Sequence, residues 1–243
     1  MKLTLLFLIT ILFSSLLFSD IQTTRNLCYN KKYGSECSKL GKLLYLSQPS
    51  QSMRAYRFGA KLEDRDSLLF LANLYWKSNY DRDKKRAIKF FERAESRRHW
   101  KTALFLAKGY AVGHSPFFKD LKKAGYYFER AALLGPDINK LYIAEFHGGK
   151  YGSNIDYPRS NYWYKRYING GDQSGEPLLS ILIQVGKWRA EGSHGFRKSL
   201  IIAQKYWVRA GTNGKEEAFS LLEQYNLDDT SSRPKKHIYR GGF

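Results

Sequence analysis

Residues Lys119–Gly135 read KDLKKAGYYFERAALLG, and the rest of the chain is a set of variations on this stretch. Its centre is an aromatic pair followed by a basic and a small residue: Tyr127-Phe128, Arg130, Ala131. The same plan recurs as Phe90-Phe91, Arg93, Ala94, then as Trp163-Tyr164, Arg166 with Tyr167 in the small position, and as Tyr206-Trp207, Arg209, Ala210. A second small residue stands two helical turns earlier in each copy, at Ala87, Ala124, Ser160 and Ala203. Both small residues then lie on one helix face, where a neighbouring helix can approach while the aromatics fill the flanks. The copies are about 40 residues apart, the period of stacked helical pairs in which no unit buries its apolar face alone. Arg130 is expected to pack its stem and send its charge to water.

A second kind of helix alternates with the first. It carries Leu40-Gly41 and Tyr45, then Leu71-Ala72 and Tyr75, Leu106-Ala107 and Tyr110, and Ile143-Ala144 and His147. Turns rich in Gly, Asp, Asn and Ser, such as Gly113–Asp120 and Gly148–Asp156, connect the two kinds. Asp120 and Asp156 are the expected N-caps of the aromatic-pair helices. The fold class that follows is all-α, an α-solenoid of helical hairpins.

The stretch Leu106–Gly135, LAKGYAVG followed by KDLKKAGYYFERAALLG, resembles a Sel1-like repeat, a relative of the tetratricopeptide repeat. The likeness runs from Cys37 to about Tyr225, strong at 101–135, fair at 67–98 and 139–171, and weak at 37–62 and 176–211. Arg97-Arg98 stand where the repeat expects glycine. The resemblance implies a right-handed superhelix with a concave groove that scaffolds partners rather than performing chemistry. Secreted bacterial members serve in envelope assembly, exopolysaccharide export, flagellar motor assembly and host-cell contact.

The N-terminus follows another logic. Met1-Lys2 precede an apolar run from Leu3 to Phe18, and residues 1–19 read as a signal peptide, with an uncleaved anchor as the alternative. Residues 20–225 are then the repeat array and 226–243 a flexible basic tail. On one continuous helix the two cysteines, Cys28 and Cys37, would be about 13 Å apart and unable to bond. Asn30 to Gly34 reads instead as a turn between two helices. A disulfide stapling the first helix to the array is expected in an oxidising compartment, against two buried free thiols. The pair is also similar to the cysteine pairs of secreted, cysteine-rich Sel1-type proteins.

Lys and Arg number 41 against 22 Asp and Glu, a formal charge of +19. Such an excess implies salt-sensitive association with an acidic partner or surface. With an export signal, an acidic or envelope-associated protein comes first, then an anionic envelope polymer or lipid surface, and nucleic acid is set aside. The most polarised segment supplies a candidate partner-binding face: Arg82, Lys85, Arg86, Lys89, Arg93, Arg97 and Arg98. Lys85, Lys89 and Arg93 share one helix face at i, i+4 and i+8. The competing reading is a solvated back face with Glu92 and Glu95 in local ion pairs.

Chemistry is harder to find. The sequence holds no Gly-x-Ser-x-Gly elbow, His-Glu-x-x-His or phosphate-cradling Gly-x-x-x-x-Gly-Lys. His114, His147 and His194 recur near interhelical turns, where capping or exposure outweighs metal binding. No catalytic, metal or cofactor residue is assigned. The reading is an exported, non-enzymatic adaptor of the bacterial periplasm or cell envelope, with an envelope-polymer binding protein or hydrolase as the alternative.

Overall fold

The computed structural model describes residues 19–170 and 175–227, and among them every regular element is helical. The helices are α1 (residues 19–29), α2 (Gly34–Leu44), α3 (Pro49–Lys61), α4 (Arg65–Trp76), α5 (Asp81–Glu95) and α6 (Trp100–Val112). They continue as α7 (Leu121–Leu134), α8 (Ile138–His147), α9 (Tyr157–Ile168), α10 (Glu176–Glu191), α11 (Leu200–Thr212) and α12 (Glu216–Gln224). The apolar part of the expected signal peptide and nearly all of the expected tail lie outside the described residues. No described helix is long and apolar enough to cross a membrane.

Consecutive helices pair as hairpins: α2 with α3, α4 with α5, α6 with α7, α8 with α9, and α10 with α11. The array divides into two compact units, one ending at Leu134 and the other beginning at Gly135. In both, the expected small positions are sealed. Ala87, Ala94, Ala124, Ala131, Ala203 and Ala210 have no exposed surface, and Ser160 almost none. The partner helix carries its own small residue opposite an aromatic. A Cβ on Gly41 would stand 2.6 Å from the Tyr56 ring, and one on Gly186 would stand 2.3 Å from Trp207 Nε1. Tyr56 and Gly59 show that α3 is a further copy of the aromatic-pair helix, with Ser52 in its earlier small slot.

The expected caps form. Asp120 accepts from Lys123 N at 2.9 Å and Asp156 from Arg159 N at 3.1 Å. Each loop is also tied back by its cap residue. The N–H groups of Asp120, Asp156 and Ser199 donate to the carbonyls of Tyr110, His147 and Arg189 at 2.9, 2.8 and 2.7 Å. One backbone bond therefore fixes the loop of three successive hairpins in the same way.

Individual copies depart from the common plan. In α2 the buried residue after Leu40-Gly41 is Leu44, 1% exposed, while Tyr45 is 53% exposed. The apolar face follows the i, i+3 spacing used by Ala72/Tyr75 and Ala107/Tyr110, which falls on Leu44. Arg98 takes the glycine-like turn conformation itself, at φ 65°, as Glu63 does at φ 58° in the preceding copy. Left-handed backbone at a residue with a Cβ costs about 1–2 kcal/mol.

Arg130 remains 28% exposed, but its charge is not left to water alone. Its Nε donates to Glu95 Oε1 at 2.7 Å, and the Glu95 side chain is only 3% exposed. Related residues make related ties: Arg93 donates to the Ala60 carbonyl at 2.7 Å and to Glu63 at 2.6 Å. Arg209 reaches the Ile168 carbonyl at 3.3 Å. Arg93, Arg130 and Arg209 thus clasp the C-terminal end of the preceding aromatic-pair helix, where the helix dipole is negative, whereas Arg166 is exposed and bonds Tyr162 on its own helix at 2.7 Å. Replacing Arg130 by leucine strands the Glu95 carboxylate and is expected to cost about 2–4 kcal/mol in a urea melt. The double change Glu95→Leu/Arg130→Leu should cost less than Arg130→Leu alone, and equal losses would remove the pair from the account.

Cys28 and Cys37 are bonded across the α1–α2 turn, with Cα atoms 4.7 Å apart. Both are fully buried against Leu40, Leu44 and Ala55. The two-thiol alternative is thereby replaced by a staple holding α1 on the array. For a loop of this length the cross-link contributes about 2–3 kcal/mol. Reduction should lower the unfolding midpoint accordingly, and alkylation should label neither cysteine until reductant is added.

Candidate functional site

The stripe of basic residues on α5 divides into three environments. Arg93 is clasped to Glu63 and Ala60 as above, so its guanidinium belongs to the repeat stacking. Arg86 lies 3.5 Å from Asp83, and Arg82 is exposed. Arg97 and Arg98 are exposed on the α5–α6 turn. Only Lys85 and Lys89 face a concavity, of about 560 Å³, formed between α5, the end of α6, the α6–α7 loop and the start of α7.

The loop reaches this position for local reasons. Gly113 turns the chain at φ 78°, and Phe117 is buried against Trp76, Phe105 and Tyr110. Gly109 makes room for it, since a Cβ there would stand 2.5 Å from the Phe117 ring. With Phe117 anchored, its neighbour Phe118 is turned outward, 77% exposed, at the rim. Lys85 Nζ lies 5.4 Å from the Phe118 ring centroid. Lys119 and Lys123 complete the wall, so four lysines surround the cavity.

Two carboxylate residues line the niche, Asp120, which caps α7, and Glu92. Glu92 Oε1 accepts from the Tyr110 hydroxyl at 2.7 Å and from Lys123 Nζ at 3.0 Å. Lys123 also reaches the Tyr110 oxygen at 3.2 Å and lies 4.7 Å from the Tyr110 ring centroid. The bond to Glu92 holds the Lys123 ammonium above its ordinary pKa. Burial first, and then the Glu92 carboxylate, push the Tyr110 phenol up to about 12. Tyr110 is therefore a neutral donor at physiological pH, and the niche presents cations and an apolar rim, with no paired nucleophile and base. Lys85, Lys89 and Lys119 make no ion pair with any described residue.

Sequence reasoning found Lys85 and Lys89 but missed Lys119, Lys123 and Phe118. The two lysines sit inside the quoted stretch and read as repeat framework. Their signal was available in the recurring loop length, which brings Phe118 and Lys119 opposite α5.

The histidines sit in different surroundings. His114 is exposed, whereas His194 stacks on Trp188 with ring centroids 4.6 Å apart. The described residues hold no cluster of three or more His, Cys, Asp or Glu side chains that could bind a metal. In the second unit, a cavity of about 340 Å³ is lined by Tyr157, Tyr164, Trp188 and His194 with the Glu145–Lys150 pair. Burial pushes the Tyr164 phenol up to about 12.

The hairpin geometry can be compared with known proteins. No family model matches the chain, and no curated protein matches it. Among solved structures it is similar to a Sel1 repeat protein from Oxalobacter formigenes, with a TM-score of 0.61 at 22% identity. The match covers 74% of this chain and 52% of that one. The chain has the Sel1-repeat fold. It spans about half the length of that Sel1 repeat protein, and at this identity the likeness speaks to fold alone. It is also similar, at a TM-score of 0.49 and 18% identity, to a protective antigen present in uropathogenic Escherichia coli strains displaying an SLR fold. That match covers 84% of this chain and 44% of the other. Within the Sel1-repeat fold, Tyr110 and Phe117 are the residues that join the repeat framework to the lysine niche.

The raised Tyr110 phenol has a measurable consequence. Its contribution to stability is fully present below pH about 10 and is lost as pH rises through about 12. A phenolate difference titration between wild type and Tyr110→Phe should isolate one late-titrating group. In Glu92→Gln its midpoint should fall, because burial remains but the carboxylate is gone. A midpoint at the ordinary tyrosine value in the wild type would remove Tyr110 from the role of buried donor.

Proposed function

We propose that this chain is a non-enzymatic interaction adaptor, exported to the periplasm or cell envelope, that holds an acidic protein partner at the lysine niche. The observation that carries the reading is the concave site itself, where Lys85, Lys89, Lys119 and Lys123 surround a cavity that holds Glu92 as its internal carboxylate. A cavity beside exposed Phe118 offers apolar contact next to charge, the combination by which side chains of a partner are anchored. Export is supported by the apolar leader in the sequence and by the Cys28–Cys37 bond, which persists in oxidising compartments. The docking face is accordingly narrower than the stripe of basic residues on α5, and Arg93 is left out of it.

A second reading, binding of an envelope polymer, is favoured by the aromatic cavity of the second unit, because a lining of Tyr157, Tyr164, Trp188 and His194 suits the apolar parts of sugars. A hydrolase is less well supported, since Glu145 is the one carboxylate lining that cavity and glycoside hydrolysis ordinarily uses two.

The test reverses Lys85 and Lys89 to glutamate in the full chain. Helical circular dichroism should stay nearly intact, because exposed charges contribute little to folding. Capture of a crosslinked partner from the source envelope should fall by about tenfold or more, and raised salt should weaken the wild-type complex in the same direction. Capture that survives both changes would overturn the niche as the docking site and favour the aromatic cavity.

A further inference from the structure

The lysine niche has a counterpart in the second unit. Aligning the copies on their aromatic pairs sets Glu92 against Lys165, and aligning them on the loop glycines Gly113 and Gly192 sets Tyr110 against Arg189. The same alignment sets Phe117 against Phe196 and Phe118 against Arg197. These second-unit residues line a cavity of about 410 Å³ in the corresponding place, between α9, α10 and the α10–α11 loop. The loop is built alike, with Gly192 at φ 75°, buried Phe196 in the position of Phe117, and Ser199 tied back to the Arg189 carbonyl.

The chemistry is inverted. In the first unit the inner wall is a tyrosine and a carboxylate neutralised by Lys123. In the second, those positions are Arg189, Lys165 and Ile202, and no carboxylate lines the cavity. Neither Lys165 nor Arg197 makes a side-chain hydrogen bond or ion pair with any described residue. The Arg189 guanidinium lies over Phe196, its Cζ 4.7 Å from the ring centroid. Its Nη1 reaches only the Arg197 carbonyl, at 3.3 Å, and its buried Nε has no acceptor. A guanidinium fixed over an aromatic ring and short of acceptors suits a carboxylate, which its planar fork can meet through the Nη atoms.

We infer that this second niche receives a carboxylate side chain of an acidic protein segment. Lys165, Arg189 and Arg197 hold it where the chain supplies its own Glu92 in the first unit. Tyr162, at the rim, packs beside it, and Asn161 fixes the loop by donating to the His194 carbonyl at 3.1 Å. The inference deepens the adaptor reading by naming the chemistry of the partner, and it rests on that reading for the class of partner only.

The experiment titrates a pentaglutamate peptide into the full chain by calorimetry. The decisive variant is Lys165→Glu/Arg189→Tyr, which rebuilds in the second unit the internal pair of the first and so fills the niche from within. Binding should weaken by at least about tenfold, the usual scale for losing a charge-assisted pair. Arg189→Gln, a milder change, should weaken it in the same direction with unchanged helical circular dichroism. Inorganic phosphate at equal concentration should not displace the peptide, and displacement would overturn the carboxylate assignment. Loss in Lys85→Glu/Lys89→Glu but not in the Arg189 variants would overturn this inference and leave the adaptor reading standing. Loss in neither would overturn both.

Discussion

Two helices can close on a whole aromatic ring only where the facing residue offers almost nothing beyond its backbone. This constraint governs the chain. Gly41 lies under Tyr56 and Gly186 under Trp207, while alanines seal the aromatic-pair helices at two positions two turns apart. Close approach brings the end of one aromatic-pair helix within reach of the arginine on the next, so Arg93 and Arg130 can clasp Ala60, Glu63 and Glu95. Tight packing is thus the condition for the polar ties rather than their consequence. A bulkier residue at the small positions would open the interface, and the arginines would lose acceptors that lie at fixed distance.

The helices were legible in the sequence because their information is periodic. Small residues two turns apart, an adjacent aromatic pair and an aspartate before the helix each have one local physical meaning. The caps at Asp120 and Asp156, the buried alanines and the turn that brings Cys28 to Cys37 all follow from such local rules. In α2 the same rule falls on Leu44, because the spacing used in the other copies, three residues after the small one, reaches Leu44 and leaves Tyr45 exposed.

What the sequence concealed is non-local. Lys85, Lys89 and Arg93 share a helical face, and nothing within α5 distinguishes them. Their difference comes from neighbours some thirty residues away in either direction: Glu63 on one side, and the Phe117-anchored loop on the other. Charge on a helix surface reads as solvated until the opposite wall is known, and here the walls are carboxylates and loop aromatics from adjacent copies. The same reason made Arg130 look free when its partner Glu95 is buried.

A repeat fold fixes the shape of a cavity while leaving its chemistry open. The loop glycine, the buried phenylalanine and the backbone tie to the helix end set the niche in both units, and none of them lines it with charge. Glu92 in one copy, and Lys165 with Arg189 in the other, stand at exposed or half-buried positions of the niche wall, so the charge there can change while the loop anchor stays, whereas Tyr110 is buried against Phe117 and Tyr127. Crowded cations without a counter-charge weaken folding by mutual repulsion. A niche that keeps Lys165, Arg189 and Arg197 together therefore forgoes stability that an internal carboxylate would return, and an acidic segment docking there recovers it on binding.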